Sequence, residues 1–225
     1  SERADDLYRE SIELKRKTLG EDHPNYLTDV LNLGFSYLSQ GKYKEAELLL
    51  IEVRNKSSLS LGKKNAVYAQ SLKLLGKLYF RTGNYPAATD LIIENVEIMK
   101  ELYGVESSEY ALSIYDLAEL YEVIEQYAVV ESYLTEALEI FKKHFGKDHS
   151  YYAAVLSKLA EIKGKTGDYE EALKLSKESI KIHSRLKGEN YPGIHIDYNT
   201  VALLYGYMGD AKNSELYLRK SIENF

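Results

Sequence analysis

The sequence predicts an all-α array of antiparallel helix pairs, and three observations carry that prediction. First, glycine recurs every 42 residues, at Gly20, Gly62, Gly104, Gly146 and Gly188. Second, an apolar column (Leu33, Leu75, Leu117, Leu159, Val201) is followed each time by a small residue: Gly34, Gly76, Ala118, Ala160 and Ala202. Third, the apolar residues inside each repeat fall three and four apart, the spacing of one helical face. A period of this length with no insertion marks an array of stacked supersecondary elements.

One repeat shows how the elements arise. A first helix is expected over about Asn25 to Gln40, because Leu33 and Tyr37 share a face. Gly41 then supplies the left-handed conformation that ends many helices. A second helix is expected from about Lys44 to Ser60, with Ala46, Leu49, Leu50 and Val53 as its inward stripe. Small residues at positions 34 and 46 let the two backbones approach, and Tyr37 packs over the gap. Turn residues recur at Gly41, Gly83, Glu125, Gly167 and Gly209, so about eleven helices follow, with breaks near the four glycines. The repeats fall at about 21–62, 63–104, 105–146, 147–188 and 189–225 of one array, with 1–20 a second helix lacking its first.

Composition narrows function. The 225 residues are 44% hydrophobic and 28% charged, which suits an ordered repeat array. A formal net charge of −6 disfavours non-specific binding to nucleic acid or an anionic membrane. With no cysteine, disulfides and thiolate metal sites are excluded. No apolar run reaches the roughly 18–20 residues that span a bilayer, and a cytoplasmic location is expected.

The sequence holds no nucleophile elbow, phosphate loop, dinucleotide fingerprint or His-Glu-x-x-His motif. His144 and His149 flank the helix-ending Gly146 at a spacing poor for two ligands on one helix. Asn55-Lys56-Ser57 reads as a glycosylation sequon but lies inside a predicted helix. No catalytic role, metal or cofactor is expected.

The pattern Leu-Gly-x-x-Tyr followed by Gly-x-Tyr-x-x-Ala resembles tetratricopeptide repeats. The 42-residue period, with Leu19-Gly20-Glu21-Asp22-His23-Pro24 and Phe145-Gly146-Lys147-Asp148-His149 between repeats, is similar to kinesin light chains and to bacterial arrays, some fused to caspase-like proteases. The resemblance covers essentially the whole chain. It implies a right-handed superhelical solenoid that binds a peptide or partner domain in a groove lined by the first helices. Carried over by position, the groove residues are Leu31, Phe35, Leu38 and Ser39, then Lys73, Lys77, Phe80 and Arg81. Tyr115, Glu119, Glu122 and Val123 follow, then Ser157, Glu161, Gly164 and Lys165, and last Asn199, Leu203, Gly206 and Tyr207. The groove is then zoned: an apolar entry, a basic stripe, an acidic stripe, and a small and aromatic end. Lys73, Lys77 and Arg81 either neutralise Glu119 and Glu122 or meet a partner. Lys73 and Lys158 occupy two basic positions of the chaperone-tail clamp known in relatives, but Lys77, Asp116 and Ala154 depart from it.

The expected function is therefore a protein-interaction scaffold for an apolar-plus-acidic segment. Its alternatives are the regulatory arm of a larger enzyme and an RNA-binding repeat. The chain reads as a piece of something larger. Leu216, Leu218, Ile222 and Phe225 leave an apolar C-terminal end that could dock onto a following domain or a second copy. Three departures stand out: Glu125 at a turn glycine position, Lys163 in the packing-tyrosine column, and Asn95 in a small-residue column.

Overall fold

The structure, a computed structural model, describes residues 2–188 and 194–223. Phe225 lies outside the described residues. Among the described residues there are eleven helices and no strand. The chain falls into two compact units, Ser1–Val105 and Glu106–Phe225.

The N-terminal unit holds α1 (Glu2–Leu19), α2 (Pro24–Ser39), α3 (Tyr43–Leu61), α4 (Ala66–Arg81) and α5 (Tyr85–Tyr103). The C-terminal unit holds α6 (Ser108–Val123), α7 (Tyr127–Phe145), α8 (Ser150–Lys165), α9 (Tyr169–Lys187), α10 (Ile194–Tyr207) and α11 (Ala211–Glu223). Within each unit, consecutive helices pack on each other, and first helices also touch: α2 on α4, and α8 on α10. The first helices α2, α4, α6 and α8 each have 16 residues and the second helices α3, α5, α7 and α9 each have 19. That constancy, with four-residue connections between repeats from α1 to α8, is what the unbroken period requires.

Starts and stops follow from local chemistry. Asn65 Oδ1 accepts from the Tyr68 amide at 2.9 Å, and Ser107 Oγ from the Tyr110 amide at 3.1 Å. The same position in two other repeats is histidine. His23 Nδ1 accepts from the Asn25 amide at 3.1 Å and His149 Nδ1 from the Tyr151 amide at 3.2 Å. These caps satisfy amide groups that no helical carbonyl reaches. Gly41 ends the first pair's opening helix at φ +75°. Glu125 takes the same left-handed turn at φ 56°, the one non-glycine residue at positive φ among the described residues.

Close packing explains the small columns. A Cβ placed on Gly34 would stand 2.9 Å from Leu50 Cδ2, and one on Gly76 would stand 2.6 Å from Ile92 Cδ1. Ala46, Ala88, Ala118 and Ala160 are fully buried at the matching contacts. Several buried polar groups are paired across the helix interfaces. Asp29 accepts from Ser11 at 2.5 Å and pairs with Lys15 at 2.6 Å. One hundred and sixty-eight residues on, Asp197 accepts from Ser179 at 3.0 Å and faces His183 at 3.0 Å, so the two clusters occupy the same places in their repeats. Asn95, buried in the small column, donates from Nδ2 to the Ala69 carbonyl at 2.8 Å. Ser179 makes the same contact to the Ala153 carbonyl at 3.1 Å.

Helix α11 has no buried residue, and Leu216, Leu218 and Ile222 are exposed on it. In α3 the residue matching Leu218 is Leu50, which is fully buried beneath the neighbouring helices.

Candidate functional site

The predicted groove residues separate into two sets, one on α2 and α4, the other on α6, α8 and α10. Each set belongs to one unit.

In the N-terminal unit the apolar entry is corrected. Leu31 and Leu38 are 7% and 3% exposed and belong to the core with Tyr26, Leu33, Leu74 and Leu78, whereas Phe35 is 54% exposed. The physical reason is that α4 packs beside α2 and covers two of the three side chains. Leu38 therefore presents only its carbonyl, which accepts from Arg81 Nη1 at 3.4 Å. Lys73 and Lys77 lie half-buried on one face of α4, and Arg81 one turn further is exposed. Phe80 is half-buried and meets the Tyr85 ring edge-on at 5.7 Å.

In the C-terminal unit the acidic stripe does not stand alone. Glu122 on α6 is mostly buried, with Lys158 at 2.5 Å on one oxygen and Lys165 at 2.5 Å on the other. Both lysines also hold Glu161, each at 2.9 Å. Lys158, Glu161 and Lys165 are spaced three and four apart on α8, so they share one face opposite Glu122. The result is a closed ring of two carboxylates and two ammonium groups. Burial alone would raise the Glu161 carboxyl, but hydrogen bonds from Lys165 and Lys158 outweigh it and hold the group down to about 2. Burial works against the charge of Lys158 too, and contacts with Glu122 and Glu161 outweigh it and raise its affinity for a proton. Burial, with Glu119 and Asp116 nearby, raises the Tyr115 hydroxyl, so Tyr115 stays neutral. Glu119 is half-buried on the same helix.

Beside the ring lies a hollow of about 540 Å³ between α8 and α10. Asn199 and Tyr207, both predicted, line it, together with Ile196, Leu203, Gly164 and Tyr169. Tyr207 stacks on Tyr169 with ring centres 5.4 Å apart. The groove positions carried over for these repeats already include Leu203 and Gly164. Ile196 and Tyr169 are additions. Ile196 lies seven residues before Leu203, a spacing that puts both on one face. Tyr169 occupies a column of turn-packing tyrosines, so its sequence signal points to structure. The histidines near the α7–α8 loop serve architecture: His149 caps α8 and stacks on Phe145 at 4.3 Å, and His144 contacts the Glu106 carbonyl.

A family profile described as tetratricopeptide repeat matches residues 1–56, 28–92, 67–143 and 151–225. Among curated proteins, none is a significant sequence match. Among solved structures, BtubC (BKLC) from P. vanneervenii is 21% identical with a TM-score of 0.84, over 99% of this chain and 90% of that one. A putative kinesin light chain from Podosopora anserina with nearly identical TPR-like repeats is 22% identical with a TM-score of 0.74, over 89% and 95%. The apo form of RapI is 18% identical with a TM-score of 0.71, over 96% and 88%. At these identities the likenesses establish the shared helical-repeat fold. Among the described residues no helix is long and apolar enough to cross a membrane.

Proposed function

Because the chain belongs to the tetratricopeptide repeat family, whose members generally mediate protein–protein interaction, we propose that it is a scaffold that binds a segment of another protein on the face formed by its first helices. The observation that supports this most is the hollow between α8 and α10, lined by the exposed apolar side chains Ile196, Leu203 and Tyr207. Such concave apolar surfaces with a few polar groups are where ligands bind. On the N-terminal unit, Phe35 supplies an exposed aromatic anchor and α4 brings Lys73, Lys77 and Arg81 along one face. An apolar residue followed by acidic ones would complement that face. Burial of the anchor supplies most of the affinity, about 1.5–3 kcal/mol for one large side chain, while the charges set orientation and association rate.

The test is a pull-down from the source cell with wild type and with Phe35→Ala, Lys77→Glu and Tyr207→Ala. A protein captured by wild type and lost from these variants, all of them folded by circular dichroism, supports the reading. A partner that binds all four chains alike places the contact surface elsewhere and defeats it.

A further inference from the structure

The hollow between α8 and α10 lies where α8 lacks a side chain that the N-terminal repeats have. Residues 38, 80, 122, 164 and 206 occupy one place on successive first helices; in the N-terminal unit Leu38 and Phe80 fill it, whereas α8 and α10 carry Gly164 and Gly206. A Cβ on Gly164 would meet one atom within 4 Å, Leu204 Cδ2 at 3.0 Å, and otherwise open space. The space left open is floored by Ala160 and Leu204 and walled by α10.

On α10, Ile196, Leu203 and Tyr207 are 60%, 52% and 65% exposed. Their steps of seven and four make a single stripe about 16 Å long at 1.5 Å per residue. That is the length of three turns of a partner helix laid alongside it, the groove mode in which apolar anchors recur at i, i+4 and i+7.

The rim decides what else such a helix can carry. Lys165 and Glu161 stand at its edge, but both are engaged in the closed ring with Glu122 and Lys158, two positive and two negative groups. A charged ligand group would have to displace a ring member to gain a contact. The opposite rim is uncharged: Asn199 is exposed, and Thr200 Oγ1 donates to the Ile196 carbonyl at 3.0 Å. The electrostatic complement of this hollow is therefore an uncharged surface. We propose that it is a docking subsite for an amphipathic helix of a partner protein whose contacting stripe is apolar and uncharged, read by shape and burial rather than by charge. This rests on the wider reading that the first-helix face binds proteins. It assigns the C-terminal unit a ligand chemistry different from the apolar-plus-acidic one that suits α2 and α4.

The experiment uses the full chain and three labelled helical peptides on one alanine–glutamine host. The first has leucine at i, i+4, i+7 and i+11, the second the same stripe flanked by glutamates, and the third no stripe. Binding is followed by fluorescence anisotropy at about 50 mM and about 500 mM salt, and the contact surface by backbone amide chemical shifts. Expected is binding of the plain leucine peptide with less than about a twofold change between the two salts. Leu203→Ser and Tyr207→Ala should each weaken it by about tenfold or more, and shifts should centre on α10. Tighter, salt-sensitive binding of the glutamate-flanked peptide at the hollow would show the ring reading charge and overturn the proposal. So would no binding, or affinities unmoved by both substitutions. Shifts on α2 and α4 with none on α10 overturn this inference and leave the wider reading intact; shifts confined to second helices overturn both.

Discussion

Lys163 Nζ lies 2.7 Å from Glu131 Oε1, the same 32-residue relation that sets the Tyr79 hydroxyl 2.7 Å from Glu47 Oε1. Lysine thus replaces the packing tyrosine of its column without breaking the link to the second helix of the preceding repeat: its stem reaches across and its ammonium meets the carboxylate where the phenol would. The hydrogen bond to Glu131 raises the proton affinity of Lys163. Lys163→Tyr should therefore leave the melting temperature unchanged or higher. Lys163→Glu, which sets two carboxylates together, should lower stability by about 1 kcal/mol. Urea denaturation of the three proteins checks this, and equal midpoints would remove the pair from the account.

Core and surface assignments on α2 are separable by truncation. Leu38→Ala should destabilise by about 2–5 kcal/mol, as large-to-small changes in a packed core do, because Leu38 is covered by α4. Phe35→Ala, on the same helix but exposed, should change stability by less than about 1 kcal/mol. Similar losses at the two positions would contradict the burial described.

The approach of α4 to α5 predicts an unusual cost for adding one methyl. Alanine is favoured over glycine inside a helix by about 1 kcal/mol, yet Gly76→Ala should destabilise because its Cβ meets two carbons of Ile92 at 2.6 and 2.7 Å. The stiff β-branched chain has few rotamers in which to retreat. Adding Ile92→Leu recreates the Ala118–Leu134 combination already present sixteen residues apart in the next repeat, so the double variant should recover most of the loss. A double-mutant cycle measures the coupling.

Glu125 holds a left-handed turn that glycine holds in the other repeats. Glu125→Gly should raise stability by about 1 kcal/mol, read as a higher urea midpoint at unchanged slope. A fall would mean that the Glu125 side chain contributes more than the backbone conformation takes away.

Acid sensitivity is expected from the charge ring. Glu161 is held at about 2 against an ordinary value of 4.5. A carboxyl with a lowered value in the folded state adds stability above its unfolded value and loses it as pH falls. Wild type should therefore exceed Glu161→Gln in stability at pH 7, and the difference should shrink as pH drops from about 4.5 towards about 2. A difference constant across that range would show that Glu161 acts through shape alone.

Periodicity made the fold legible. Spacing of leucine, small residue and tyrosine dictates helical faces, and turn glycines dictate breaks, because both are consequences of local backbone geometry and of side chains three or four residues apart. The helix pairs, the close contacts at Gly34 and Gly76, and the strained turn at Glu125 all follow from that level. The candidate site was legible by column but not by exposure. Leu31, Leu38 and Phe35 look alike in sequence, and only the packing of α4 beside α2 decides that two are core and one is surface. Likewise the charges of Glu122, Lys158, Glu161 and Lys165 are written in the chain, but their closure into a ring depends on two helices separated by a third. Ion-pair energies fall with distances that no spacing within one helix specifies. Tertiary structure alone also joins Gly164, Tyr169 and the α10 stripe into one hollow, since a cavity is a property of what surrounds it and not of any residue that lines it.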